Sequence, residues 1–317
     1  MFHVILLVVG FILLIKGADL LVDGASSIAK KFKISNFIIG LTVVAFGTSM
    51  PELVVSVLAS IQGSASLAVG NILGSNVSNI LLILGVAAFI YPLHIRKNTV
   101  RTEIPFSLAA IALLWLLINN LFLGGTTPYI LTRVGGLILL LFFAVFLQYT
   151  FSLAKNSRNN SENIKQYPNL EAGLFILFGL IGLTWGGKLI VDSAVYMAHI
   201  LGLSEFVIGV TVVAVGTSLP ELATTIIAAL KKHSDIAVGN VVGSNIFNIL
   251  WILGISALIK PITFNPSNNI DIGFVFLSTF LLLPFMFIGK KDTLTRVEGS
   301  VFLFLYVGYI IFQIVRL

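Results

Sequence analysis

The sequence predicts an all-α polytopic membrane protein, ten transmembrane helices arranged as two inverted five-helix repeats. Three observations predict it: a composition poor in charge, ten apolar stretches of spanning length, and a long gapless match of the chain to itself. Of 317 residues, 57% are apolar and 10% charged, with a mean hydropathy of +1.05. A soluble domain carries roughly 25% charged residues. A soluble enzyme, a disordered tail and a nucleic-acid binder are therefore poor readings, and the surrounding partner is a lipid bilayer. A spanning helix needs about 20 apolar residues, so ten use roughly 200 and leave about 115 for connections. Cysteine is absent, which excludes disulfides, zinc thiolates and iron–sulfur clusters.

The spans fall near 2–22, 38–61, 66–91, 102–119, 129–152, 171–192, 206–230, 235–259, 270–289 and 296–315. The first lacks a basic leader and a small-residue cleavage site, and runs into Lys16 and Asp19, so it reads as a span and not a signal peptide. The second and seventh carry a Gly-Thr-Ser-x-Pro-Glu break, and the third and eighth a run of Gly, Asn and Ser. Residues 1–152 form the first repeat, 153–170 a polar linker rich in Asn, Ser and Lys, and 171–317 the second repeat.

Basic residues mark one side. Lys30, Lys31 and Lys33, Arg96, Lys97 and Arg101, Lys155, Arg158 and Lys165, Lys231 and Lys232, and Lys290, Lys291 and Arg296 all follow odd-numbered spans. Only Lys260 and Arg316 lie on the other side, while Lys16, Arg133 and Lys188 read as snorkelling side chains within or beside spans. The positive-inside rule then places the 153–170 linker in the cytoplasm and both termini outside the cell membrane. Asp19, Asp23 and Asp192 read as wet span ends, and His3, His94, His199 and His233 as scattered, solvated side chains that form no metal set.

Residues 38–85 match residues 207–254 at a constant offset of 169, with 26 of 48 positions identical. Gly17 with Gly186, Asp23 with Asp192 and Ala25 with Ala194 extend the match upstream. Five spans per copy is an odd number, so the second copy must cross in the opposite sense. Inverted repeats of this kind mark secondary transporters, with the substrate site near the midplane where the repeats meet.

The motif Gly47 to Glu52 and its copy Gly216 to Glu221 lie inside apolar spans. Pro51 and Pro220 interrupt the helix, which is expected to free backbone carbonyls such as those of Ala45 and Ala214. An ionised carboxylate at the bilayer centre costs at least about 2.5–3.5 kcal/mol, so Glu52 and Glu221 at matched positions mark a site. Thr48, Ser49, Thr217 and Ser218 add hydroxyl oxygens one turn away on the same helix. In the second motif, Ser75 with Asn79 and Ser244 with Asn248 are spaced i, i+4 and share a helix face. These groups make an all-oxygen set suited to a hard cation. Gly70, Gly74, Gly239 and Gly243 read as packing positions, and Asn71, Asn76, Asn240 and Asn245 as structural groups that cap or bridge backbone at the break.

At these two motifs the sequence resembles the cation/calcium exchanger superfamily, in its sodium/calcium exchanger branch, over essentially the whole chain. The resemblance implies exchange of several sodium ions for one calcium ion, with the first and sixth helices sliding against the other eight. It implies that Thr48, Ser49, Glu52, Ser75 and Asn79, with the carbonyl of Ala45, form half of the ion site. Thr217, Ser218, Glu221, Ser244, Asn248 and the carbonyl of Ala214 form the other half. Potassium-dependent members, and some prokaryotic ones, carry Asp where Asn248 stands, and the proton-coupled branch lacks the Gly-Thr-Ser-x-Pro-Glu pattern; both differences point to sodium coupling without potassium. A proton/calcium or sodium/proton antiporter using the same glutamate pair is the alternative, since burial and like charge favour protonation. A scaffold or sensor is disfavoured because no loop exceeds about 20 residues. No nucleophile–base pair is apparent, so the chain is not read as an enzyme. It needs no cofactor beyond the transported calcium and sodium ions, and it names no protein partner.

Overall fold

Backbone buried in hydrocarbon must satisfy its own hydrogen bonds, and apolar segments of this length do so as helices. The computed structural model describes residues 2–97, 99–119, 129–156, 165–200, 214–285, 287 and 291–316. The helices are α1 (Phe2–Lys31), α2 (Asn36–Thr48), α3 (Met50–Gln62), α4 (Ala65–Ile90), α5 (Thr99–Ile118) and α6 (Arg133–Asn156). They continue with α7 (Asn169–Ile200), α8 (Ala214–Thr217), α9 (Leu219–Leu230), α10 (Ser234–Ile259), α11 (Asn268–Phe285) and α12 (Arg296–Arg316).

Among the described residues eight helices are long and apolar enough to cross a membrane, or nine when α2 and α3, bent by 45°, count as one span. That falls short of the ten expected. The seventh expected span, 206–230, is described only from Ala214, as the four-residue α8 and the twelve-residue α9. Two other expectations also change. Helix α1 runs to Lys31 instead of ending near 22, and α7 runs to Ile200 instead of 192. Within the expected 153–170 linker, α6 continues to Asn156 and α7 begins at Asn169; residues 157–164, Arg158 among them, lie outside the described residues, as does Lys290.

Helices α4 and α10 form the centre. About four-fifths (78%) of each apolar window is buried, against 22–28% for α1, α6, α7, α11 and α12, whose apolar faces therefore suit lipid. At 30 and 32 residues, α1 and α7 are about 45 Å long, more than the hydrocarbon thickness. They pack antiparallel and backbone to backbone. A Cβ on Gly17 would stand 2.8 Å from the Gly179 carbonyl oxygen, and one on Gly186 would stand 2.8 Å from that of Gly10.

Two short antiparallel ladders join connections from the two halves of the chain. Strand β1 (Leu93–His94) pairs with β4 (Thr293–Leu294), and β2 (Ile130–Leu131) with β3 (Ile262–Thr263). Ion pairs reinforce the ends. Arg96 binds Asp235, and Lys231 Nζ lies 2.7 Å from Asp19 and 2.6 Å from Asp23. The two α1 carboxylates, expected simply at a wet span end, thus share a cation from the turn after α9. Arg133, expected to snorkel, donates Nε to the Leu258 carbonyl at the C-terminal end of α10 (3.2 Å).

Candidate cation site

Both copies of the Gly-Thr-Ser-x-Pro-Glu motif break their helix at the serine. Ser49 adopts φ −82°, ψ 7° and Ser218 φ −87°, ψ 6°, in the sparsely allowed bridge region. Pro51 and Pro220 then open α3 and α9, where a missing N–H costs no helical hydrogen bond. This places Glu52 and Glu221 in the first turn of their helices, at the positive end of the helix dipole. Helix α2 reaches the break through a π-helical turn, Gly40–Val44. It lies directly on α10: a Cβ on Gly239 would meet the Phe37 carbonyl oxygen at 2.6 Å, and one on Gly243 that of Leu41 at 2.5 Å. Gly70 and Gly74 meet no described atom within 4 Å; the positions matched to this α2 segment by the repeat offset, 206–214, lie outside the described residues up to Ala214.

Glu52 and Glu221 are each 1% exposed. Each carboxyl accepts a hydroxyl proton from the opposite copy's break: Ser49 Oγ donates to Glu221 Oε1 at 2.9 Å and Ser218 Oγ to Glu52 Oε1 at 3.4 Å. Ser218 also reaches Ser75 Oγ at 3.2 Å, and Ser244 Oγ donates to Glu221 Oε1 at 3.4 Å. Two crossed clusters result, each containing one glutamate and hydroxyls from both copies. Thr48 donates to Asn240 Oδ1 (3.0 Å) and Thr217 to Asn71 Oδ1 (3.1 Å), again between copies.

The structure therefore gathers Thr48, Ser49, Glu52, Ser75, Thr217, Ser218, Glu221 and Ser244 in one buried region. Asn79 makes a separate bond between the copies, donating to Asn245 Oδ1 at 2.9 Å, and Asn245 in turn donates to the Asn76 carbonyl at 3.2 Å. Asn79 begins a π-helical turn in α4 (Asn79–Ile83) and Asn248 lies in the matching turn of α10 (Phe247–Ile252). Such turns frequently occur at functional sites. Four buried acceptors, Glu52 Oε2, Glu221 Oε2, Asn79 Oδ1 and Asn248 Oδ1, have no hydrogen-bond partner among the described residues. Buried oxygens without a donor suit a cation.

One expectation needs correction. The break does not free the Ala45 carbonyl of its helical bond: it accepts Ser49 N–H at 3.1 Å, while the Thr48 hydroxyl, whose proton has the nearer acceptor in Asn240, lies 3.4 Å from it. A backbone twist at Ser49 suffices to bend the helix while keeping that bond. In the second copy Ser218 N–H donates to the Val215 carbonyl at 3.2 Å. The histidines take varied surroundings: His3 stacks on Tyr196 and His94 meets Thr293, while the side chain of His199 lies outside the described residues. Among the described residues no three His, Asp or Glu side chains are grouped so as to hold a metal ion, and the carboxyls named in this region are the two glutamates. Another buried carboxyl, Glu103 at the foot of α5, is taken by the Tyr149 hydroxyl at 2.6 Å.

Sequence reasoning missed the same-copy partners Ser56 and Thr225, to which Asn71 and Asn240 donate at 3.0 Å each. Their signal was present: each stands four residues after its glutamate, one helical turn on, at the same repeat offset.

A family model described as sodium/calcium exchanger protein matches residues 2–152 and 171–315. The chain is 39% identical over 315 residues to a putative antiporter CaxA of Alkalimonas amylolytica, covering 96% of each chain. It is 33% identical over 340 residues to the sodium/calcium exchanger MaX1 of Methanosarcina acetivorans, covering 97% of each. A solved structure of the sodium-calcium exchanger NCX_Mj, soaked with sodium and calcium, superposes with a TM-score of 0.82 at 33% identity, over 97% of both chains.

Proposed function

The chain belongs to the sodium/calcium exchanger family, and from that membership we propose that it is a secondary active antiporter, exchanging sodium ions for calcium by alternating access at a midplane, all-oxygen site. The observation that carries the reading is the crossed glutamate pair. Two carboxyls from two copies of one motif meet in an apolar interior, each bonded to the other copy's serine, each with one oxygen unbonded. Glu52 and Glu221 supply two formal charges, which one calcium ion or two sodium ions neutralise. Thr48, Ser49, Ser75, Asn79, Thr217, Ser218, Ser244, Asn248 and the carbonyl of Ala214 supply neutral oxygens, and the carbonyl of Ala45 supplies the lone pair left beside its helical bond. Shared carboxylates make the two ions compete. An empty, doubly ionised site is costly in low dielectric, so the crossing is favoured only when loaded, and this couples the two fluxes.

The architecture that would carry this exchange is ten spans in two inverted five-helix repeats, residues 1–152 and 171–317, set in the cell membrane. Support comes from sidedness. The loop-to-loop contacts described above pair connections that the ten-span topology puts on one side, as with β1 and β4, β2 and β3, and Arg96 and Asp235. The test is calcium uptake into proteoliposomes with sodium, potassium or proton gradients imposed one at a time. Uptake driven by an outward sodium gradient is expected. Uptake driven by a proton gradient alone would assign the glutamates to proton exchange instead.

A further inference from the structure

We propose that Asn71 and Asn240 are positioning residues for the transported cation: each takes the proton of the opposite copy's threonine, so that the hydroxyl oxygen faces the site as an acceptor. The inference rests on the cation-site reading above and refines it. A threonine hydroxyl has one proton and two lone pairs. It can serve a cation only when the proton points elsewhere. Thr48 is fully buried, and the hydroxyl of its neighbour Ser49 donates to the Glu221 carboxyl at 2.9 Å. Asn240 Oδ1, at 3.0 Å from Thr48 Oγ1, is the nearer acceptor for the Thr48 proton and draws it away from the Ala45 carbonyl, at 3.4 Å.

The amide must be held the right way round, because a flip would present N–H groups to Thr48. It is held by a group that can only accept: Asn240 Nδ2 faces the backbone carbonyl of Glu221 at 3.4 Å and Thr225 Oγ1 at 3.0 Å. Flipping would set two carbonyl oxygens against each other. The other half is built alike. Asn71 Oδ1 accepts from Thr217, while its Nδ2 faces the Glu52 carbonyl at 3.4 Å and Ser56 Oγ at 3.0 Å. Each asparagine thus joins its own copy's glutamate to the other copy's threonine, and both do so with the same atoms.

The test uses the full-length protein in proteoliposomes and measures sodium-driven uptake against calcium concentration, with thermal unfolding of the cation-free and calcium-loaded protein in detergent. Asn240→Ala and Thr48→Val should each raise the calcium concentration for half-maximal uptake by about fivefold. The double variant should be no worse than Thr48→Val, because the asparagine acts through that hydroxyl. Asn240→Ala should also shrink the calcium-induced rise in melting temperature. Effects that multiply in the double variant, or unchanged calcium dependence in Asn240→Ala, overturn the assignment. If Asn240→Ala does not fold, Thr225→Val, which removes one group holding the amide, decides. A smaller shift that disappears in the Thr48→Val background supports the role, and a multiplying or absent shift overturns it. Absence of sodium-driven uptake in the unaltered protein would overturn the antiport reading together with this inference, whereas normal uptake with multiplying variants overturns this inference alone.

Discussion

Charge at the site rests on single residues. Glu52→Gln or Glu221→Gln keeps the side-chain shape and one acceptor oxygen but removes one of two negative charges. Truncating one member of a buried charge pair costs about 2–5 kcal/mol, so calcium flux in a folded variant should fall by about two orders of magnitude. Robust exchange by either variant would sink the site assignment. The charge count also bears on potassium. Asn248 offers a carbonyl oxygen without charge, so calcium already balances the two glutamates, and a co-transported potassium ion would bury uncompensated charge. Sodium-driven calcium uptake should therefore be unchanged when choline replaces potassium; a strict potassium requirement would show that this position does not set coupling. The glutamates were legible in the sequence because a carboxylate in an apolar span is costly and each recurs at the repeat offset. The proton direction at Thr48 and Thr217 was not legible, because it depends on asparagines from the opposite copy that approach only after folding.

Helices bring these residues together through close backbone contact. Gly243 is the tightest such point on α10, with the Leu41 carbonyl oxygen and the Ala45 Cβ standing 2.5 and 2.7 Å from where its own Cβ would be. Backbone atoms cannot rotate away as a side chain can. Gly243→Ala should therefore destabilise by about 1–3 kcal/mol and shift α2, the helix that ends at Thr48, just before Ser49. Gly308→Ala on α12 meets no described atom within 4 Å and should gain up to about 1 kcal/mol of helix propensity. Comparing melting temperatures of the two variants tests this, and equal effects would refute close approach at Gly243. The α9–α10 turn adds a pH dependence. Burial first, and the Lys231 ammonium second, hold the His233 imidazole below its usual range. The unfolded chain binds that proton more readily, so stability is full above the usual histidine range and falls as pH drops through it. His233→Gln should flatten the loss of melting temperature between about pH 7.5 and 5.5, which span the ordinary histidine value. Spans and breaks were legible from apolar length and from Gly and Pro. The π-helical turns at Gly40–Val44, Asn79–Ile83 and Phe247–Ile252 were not, because no residue type encodes the extra residue and packing against the neighbouring helix decides it.

At the scale of the whole molecule, the contacts between connections separate into two sets that the topology keeps on opposite sides. On one side are the β1–β4 ladder, the Arg96–Asp235 pair and Lys231 with Asp19 and Asp23. On the other are the β2–β3 ladder, Arg133 on the Leu258 carbonyl, and the reciprocal amide pair of Asn119 and Asn269 at 3.0 and 3.3 Å. These contacts establish which ends lie together but leave open which side is the cytoplasm. Basic residues choose it. Lys30, Lys31, Lys33, Arg96, Lys97 and Lys165 all belong to the first side, whereas Lys260 and Arg316 belong to the second. By the positive-inside rule this bias is expected to orient the chain with the first side cytoplasmic and both termini outside. Since the natural chain has no cysteine, single cysteines can report this directly. Lys165→Cys, next to α7, and Leu317→Cys, at the C-terminus, should label from opposite faces of sealed, uniformly oriented vesicles, with Leu317→Cys reacting from outside in intact cells. Labelling of both from one face would require an even number of spans between them, and would remove the inverted relation on which the crossed glutamate pair depends.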